Sequence, residues 1–266
     1  MFDSIAGDYD SLNHILSLDV DKIWRKKALK QIVDAPAPAR VLDLACGTGD
    51  FSIAIAKALS RSHKRVGTPI EAHVKAPAKV PVEAQVTSTG FVTGDSGRSD
   101  LMTKGHVTGV DLSEGMLAVM REKVAKAGLT EMISIEEGDG ENLRFPDSTF
   151  DRVTIAFGIR NFENREKGLR EMLRVLKPGG RLVILELSRP ENKVIRWFYD
   201  LYFLHILPKV GGKVSGDKAA YAYLPASVAA FPGKKAFMAT MREAGFRAVT
   251  HKAFTLGICR MYTGEK

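Results

Sequence analysis

Two apolar periods alternate along this chain. Short apolar runs at Arg40–Leu44, Val107–Val110, Ile133–Ile135, Phe150–Ala156 and Arg181–Leu187 read as strands, and the near-continuous apolar character of several suits a parallel sheet covered on both faces. Between them the period lengthens to that of a helix. Ser113 is placed as an N-cap, with Glu114 in the first turn and Leu117, Met120 and Val124 along one face. Leu169, Met172, Leu173 and Leu176 fall at i, i+3, i+4 and i+7, and Lys177-Pro178-Gly179-Gly180 predicts a turn that closes this helix before the next strand. Residues 3–34 read as helical up to Pro36, a cap ahead of the sheet. The reading is an α/β chain of repeated βα units.

Two stretches depart from this alternation. Residues 60–105 carry seven basic residues, three prolines, five glycines and a single aromatic, Phe91, with no sustained period. Such a segment buries too little apolar surface to offset its ordering entropy. The first helix runs back to the N-terminal edge of the sheet, so the insertion emerges there, opposite any ligand at the strand C-termini. It reads as a tolerated insertion or as a basic arm for nucleic acid or acidic lipid. The second stretch, 194–207, is apolar at eleven of fourteen positions. It predicts a helix apolar nearly all round, too short to span a bilayer, either sandwiched in the core or lining a channel for an apolar substrate.

Composition narrows the classes. With 266 residues, 45% of them hydrophobic, the chain can bury a full core as a single domain, 1–266. Two cysteines, Cys46 and Cys259, exclude a disulfide framework and a cysteine-based zinc cluster, so no metal is expected and a reducing, cytoplasmic setting fits. No apolar run reaches the roughly 18 residues of a membrane span. The formal net charge of +8 draws the protein towards polyanions, either nucleic acid or an anionic membrane face.

The chemistry concentrates at Val41-Leu42-Asp43-Leu44-Ala45-Cys46-Gly47-Thr48-Gly49-Asp50-Phe51, a strand running into a glycine turn with an aspartate on each side. Gly47 and Gly49 allow the tight turn and close backbone approach a bound nucleotide needs. The dinucleotide fingerprint has a third glycine where this chain has Ser52. Asp43 and Asp50 would repel a pyrophosphate and favour S-adenosylmethionine, which carries a sulfonium and an ammonium. Asp111, closing the second strand, suits the ribose hydroxyls. In dinucleotide sites that acid follows the glycines by about 20 residues, and excising 60–105 restores a similar spacing here. Asp139, at the end of the third strand, suits the adenine amino group or a plain turn.

These residues carry a resemblance. Tyr9-Asp10-Ser11-Leu12-Asn13 with Ser17 and Trp24, the run from Arg174 to Gly180 continuing to Glu186 and Ser188, and the strand and loop from Asp147 to Asn161 resemble the quinone-biosynthesis C-methyltransferases. That family includes demethylmenaquinone methyltransferase and 2-methoxy-6-polyprenyl-1,4-benzoquinol methylase. The resemblance covers nearly everything outside 60–105. It implies a class I S-adenosylmethionine-dependent methyltransferase fold, a seven-stranded doubly wound sheet with an N-terminal helical cap over 1–36 and a substrate lid over 190–232 that includes Tyr221, Tyr223 and Ser227. It also implies cofactor contacts at Thr48, Asp111, Asp139 and Gly140. Relatives often have a hydroxyl residue where this chain has Ala156, so that contact is not carried over. They usually have a lead-in before the position of Met1, which implies a shortened cap.

A quinol carbon becomes nucleophilic when an adjacent hydroxyl ionises, and lowering a phenol pKa of about 10 to neutrality requires roughly 4 kcal/mol. A charged hydrogen bond supplies about 1.5–3 kcal/mol. Arg160 and Asn161 follow the fourth strand's C-terminal end, where ligands collect, so Arg160 is expected to stabilise the phenolate and hold a water. Arginine stays protonated and is not itself the base. Tyr9, Asp10 and His14 are candidate proton acceptors or substrate clamps. The expected substrate is a polyprenyl quinol, demethylmenaquinol ahead of the benzoquinol. Its tail would stay in lipid while basic residues hold the protein peripherally against anionic lipid at about 1 kcal/mol each. A homo-oligomer is compatible with this reading. A nucleic-acid methyltransferase is disfavoured, because no aromatics interleave with the basic residues and no Asn-Pro-Pro-Tyr-type signature occurs. A non-catalytic lipid or quinone carrier is the third class.

Overall fold

The computed structural model describes residues 20–35, 39–66, 105–202 and 218–266. Strands β1 (Arg40–Leu44), β2 (His106–Asp111), β3 (Ile133–Glu137), β4 (Phe150–Ala156), β5 (Leu176–Leu187), β6 (Arg247–Phe254) and β7 (Cys259–Glu265) form one sheet in the order β3-β2-β1-β4-β5-β7-β6. The first five are parallel, and β7 runs antiparallel between β5 and β6. Helices α1 (Val20–Ile32), α2 (Asp50–Val66), α3 (Glu114–Lys126), α4 (Arg165–Val175), α5 (Lys193–Leu201), α6 (Lys218–Ala230) and α7 (Lys234–Glu243) accompany it.

The strand period of two sorts side chains to two cores. Val41, Val183 and Leu185 pack with Trp24, Ile32, Ile55 and Met120 of α1, α2 and α3. Leu42, Leu44, Leu182 and Ile184 pack with Leu169, Met172, Phe237 and Met241 of α4 and α7. Chain order turns back at β1, which has β2 on one side and β4 on the other. That is the topological switch point, where open α/β sheets bind ligands beyond the strand C-termini.

Several expectations shift at their boundaries. Strands β2 and β3 extend to Asp111 and Glu137, which brings the first of these acids into the sheet's last pair. Leu176 is not the last residue of α4. It has extended backbone and pairs with Phe150 as the first residue of β5. Lys177–Gly180 do turn, but within the strand: pairing resumes only at Arg152 with Arg181, and Gly179 takes a φ of +75° that favours glycine. Residues 60–66, assigned to the insertion, continue α2. Gly105 lies beside Ala39 and Leu59, and His106 N donates to Ala39 O at 2.9 Å. Entry into β2 thus lies at the N-terminal edge of β1 and β2, the edge the topology predicts. Within 193–201 the expectation of an all-round apolar helix fails. Arg196 and Asp200 fall on one side, Arg189 pairs with Asp200, and Val194, Trp197, Phe198 and Leu201 are exposed. Residues 203–207 lie outside the described residues.

Candidate active site

A hollow of about 340 Å³ opens at the C-terminal ends of β1, β2 and β4. Its floor is made by two non-glycine residues in the left-handed region, Ala45 (φ 48°) after β1 and Phe157 (φ 64°) after β4. Such conformations persist only where surrounding structure holds them. Here Gly158 provides the fit: a Cβ on it would lie 2.4 Å from that of Ala45, so the two strand ends touch only because residue 158 has no side chain. Trp24 and Arg25 of α1 lie against the ring of Phe157, at 6.2 Å between centroids and 5.7 Å to the guanidinium, so the described part of the cap is tied to the same corner.

One wall is acidic. Asp111 accepts from Gly47 N at 2.8 Å through one oxygen and from Ser113 N at 2.9 Å through the other. It thereby fixes the glycine turn against the start of α3. Asp139 lines the hollow and accepts from Glu141 N at 2.8 Å. Gly140 lies beside it and packs against the Phe162 ring, where a Cβ would come within 2.5 Å. Glu141 and Glu163 add to this wall. No lysine or arginine lines the hollow among the described residues. Four carboxylates without a cation would oppose a pyrophosphate and suit a cationic nucleoside, so the donor set fits S-adenosylmethionine.

Other predicted cofactor residues support this wall from behind. Asp43 is 1% exposed, and Ser52 Oγ donates to it at 2.6 Å. Burial pushes its carboxyl up to about 7, against the opposing pull of the Ser52 hydrogen bond. Asp43 lies under the glycine turn and does not line the hollow. Thr48 is buried beside Lys123 Nζ at 3.3 Å, and Gly49 makes room for Met120, whose Cγ would lie 2.4 Å from an added Cβ. Neither lines the hollow. Asp50, expected to set the charge of the pocket, pairs with Lys123 and, at 3.4 Å, with Arg25. Its role is to join α2 to α1 and α3. Of the cofactor residues read from sequence, Gly47, Asp111, Asp139 and Gly140 form the wall.

The substrate side diverges from expectation in a similar way. Asn161 lines the hollow and accepts from Tyr223 Oη of α6 at 2.9 Å. Arg160 does not line it. Its side chain is 7% exposed and donates to Glu186 at 2.8 Å, to Ser227 Oγ at 3.3 Å and to Phe157 O. Glu186 is fully buried and also accepts from Arg160 N at 3.2 Å and Leu187 N at 2.8 Å. The physical reason is the single 3₁₀ turn over Ile159–Asn161, which sends successive side chains in different directions. Arg160 therefore locks β5, the β4 loop and α6 together, while its neighbour faces the hollow. Tyr9, Asp10 and His14 lie outside the described residues. Sequence reading missed the role of Glu186; a lone glutamate in the apolar run Leu182–Leu187 was the available signal.

The description "ubiE/COQ5 methyltransferase family" fits residues 1–266. The chain is 42% identical over its full length to the ubiquinone/menaquinone biosynthesis C-methyltransferase UbiE of Geobacter sulfurreducens, covering 87% of that protein. It is 38% identical over its full length to the demethylmenaquinone methyltransferase of Bacteroides fragilis, covering 91% of it. Among solved structures, a SAM-dependent methyltransferase from Aquifex aeolicus aligns with a TM-score of 0.54 at 19% identity, over 90% of this chain and 88% of that one. That likeness concerns the fold.

Proposed function

The chain belongs to the ubiE/COQ5 methyltransferase family, and from that premise we propose that it is an S-adenosylmethionine-dependent C-methyltransferase that converts demethylmenaquinol to menaquinol. The observation that carries the reading is the acidic hollow at the switch point, four carboxylates with no basic residue on its wall among the described residues. S-adenosylmethionine supplies an electrophilic methyl group. The chain's own residues bind, orient and exclude water. Asp111 and Asp139 are placed for the nucleoside, and Gly47 and Gly140 let it approach the backbone. The name of the Geobacter relative includes ubiquinone, which favours 2-methoxy-6-polyprenyl-1,4-benzoquinol as the second substrate to test.

Activation of the ring needs an oxygen to ionise. Asn161 and Tyr223 present an amide and a phenol at the hollow's edge, and a hydrogen bond from a neutral donor contributes about 0.5–1.5 kcal/mol. Arg160 adds positive charge one residue away, partly offset by Glu186, so it acts chiefly by holding the loop and α6 in register. Tyr9, Asp10 and His14 stay candidates for the proton acceptor and clamp. The enzyme works as a peripheral cytoplasmic protein, its surplus positive charge against anionic lipid. Among the described residues no helix is long and apolar enough to cross a membrane.

The direct test incubates the protein with S-adenosylmethionine and each reduced quinol, with product identified by mass spectrometry. A methyl group gained on the naphthoquinol ring supports the reading. Methylation of the benzoquinol alone would replace the substrate, and methylation of neither would overturn the proposal.

A further inference from the structure

Helix α5 has its apolar residues on the outside. Val194, Trp197, Phe198 and Leu201 stand at i, i+3, i+4 and i+7, on one stripe, and are 65%, 60%, 60% and 40% exposed. The opposite face carries Tyr199, which is buried. The helix follows directly on β5 at the C-terminal edge of the sheet, the edge on which the hollow opens. Its inner face carries the buried Tyr199, while its outer face offers two aromatic rings and two aliphatic side chains to whatever lies beyond. Trp197 and Phe198 meet edge to face at 4.8 Å, which makes them one apolar block.

The surrounding charge says what that surface suits. The two acids of this segment are already paired, Glu191 with Lys234 at 2.7 Å and Arg260 at 3.4 Å, and Asp200 with Arg189 at 2.5 Å. Lys193 and Arg196 on the helix leave a positive surplus. An apolar stripe with tryptophan and phenylalanine, flanked by net positive charge on a helix too short to span, is the form of an interfacial helix lying in the headgroup region of an anionic bilayer.

We propose that the Val194–Trp197–Phe198–Leu201 face of α5 inserts into the interface of an anionic membrane and sets the hollow's mouth towards the lipid from which a polyprenyl quinol is drawn. The inference rests on the quinol reading above for its purpose, though not for its geometry. It assigns membrane contact to one helix face rather than to the basic surface at large.

The chain's two tryptophans make the test internal, since Trp24 is 4% exposed and Trp197 is 60% exposed. The full-length protein is titrated with phosphatidylcholine vesicles with and without phosphatidylglycerol. Tryptophan emission is followed together with co-sedimentation. The expected result is a blue shift with the anionic vesicles, and binding at least roughly tenfold weaker in the Trp197→Ala/Phe198→Ala variant. That variant should methylate a short-chain, water-soluble quinol as the unmodified protein does, while losing turnover of a long-chain quinol held in vesicles. Unchanged emission and unchanged vesicle binding in the variant would overturn the inference, while short-chain methylation would leave the function standing. Self-association that the same two substitutions abolish would overturn it in favour of a second copy as occupant. Vesicle binding through this face with no quinol methylated would uphold the surface and remove the reading of function.

Discussion

Asp111 performs two tasks with one carboxylate, bracing the Gly47 turn and presenting acidity to the hollow. Its replacement by alanine should weaken S-adenosylmethionine binding by about 1.5–3 kcal/mol, roughly ten- to a hundredfold in Kd by calorimetry, with the fold retained. Tyr223→Phe removes one hydrogen bond to Asn161 and should lower kcat about two- to tenfold without moving the cofactor Kd; an altered Kd would place Tyr223 elsewhere in the mechanism. Asp43 offers a pH-dependent test. Its folded pKa of about 7 lies above the ordinary value near 4, so its contribution to stability is fully present at low pH and is lost as pH rises from about 4 through 7. Asp43→Asn should therefore match or exceed the unmodified protein in Tm at pH 8, and that margin should narrow by pH 5. A margin that widens on acidification would contradict the buried-carboxyl account. Asp111 and Asp139 were legible from strand ends alone. That Asp43 and Asp50 turn away was not, because a motif gives spacing along the chain and not the partners that hold each side chain, the Ser52 hydroxyl for Asp43 and the Lys123 and Arg25 cations for Asp50.

Among the elements, the decisive contacts join strand ends to the helices above them. The Arg160–Glu186 pair connects the β4 loop to β5, and Ser227 carries the connection into α6. Arg160→Ala would leave Glu186 as a buried unpaired charge, at a cost of about 3–5 kcal/mol by denaturant melts. Adding Glu186→Gln should recover part of that loss, and a full independent loss for each substitution would show that the two side chains do not act as a pair. Strands β1, β2, β4 and β5 could be read from apolar runs because both of their faces are buried, whereas β3, at the sheet's edge, was legible only through Ile133 and Ile135. Strand β6 could not, since most of Arg247–Phe254 is exposed at the sheet's edge. Helix α5 was legible as apolar but not as exposed: composition left core and channel open, while the stripe at 194, 197, 198 and 201 that faces outward lies in the spacing.

At the scale of the molecule, the sheet separates tolerance from function. Its N-terminal edge holds the start of β2 beside Ala39, and its C-terminal edge holds the hollow, α5 and α6. Replacing 67–104 by a short flexible linker should leave cofactor Kd within about twofold, because loop closure depends weakly on length. A large loss would give the insertion a part in the site that the topology does not predict. The hollow is negative because its ligand is positive. The measurement that tests this most directly is a calorimetric titration of the full-length protein with S-adenosylmethionine and, separately, with a nicotinamide dinucleotide, repeated on Asp111→Ala. The account predicts saturable binding of the sulfonium compound, weakened by the substitution, and none of the dinucleotide. Uptake of the dinucleotide with indifference to S-adenosylmethionine would contradict it.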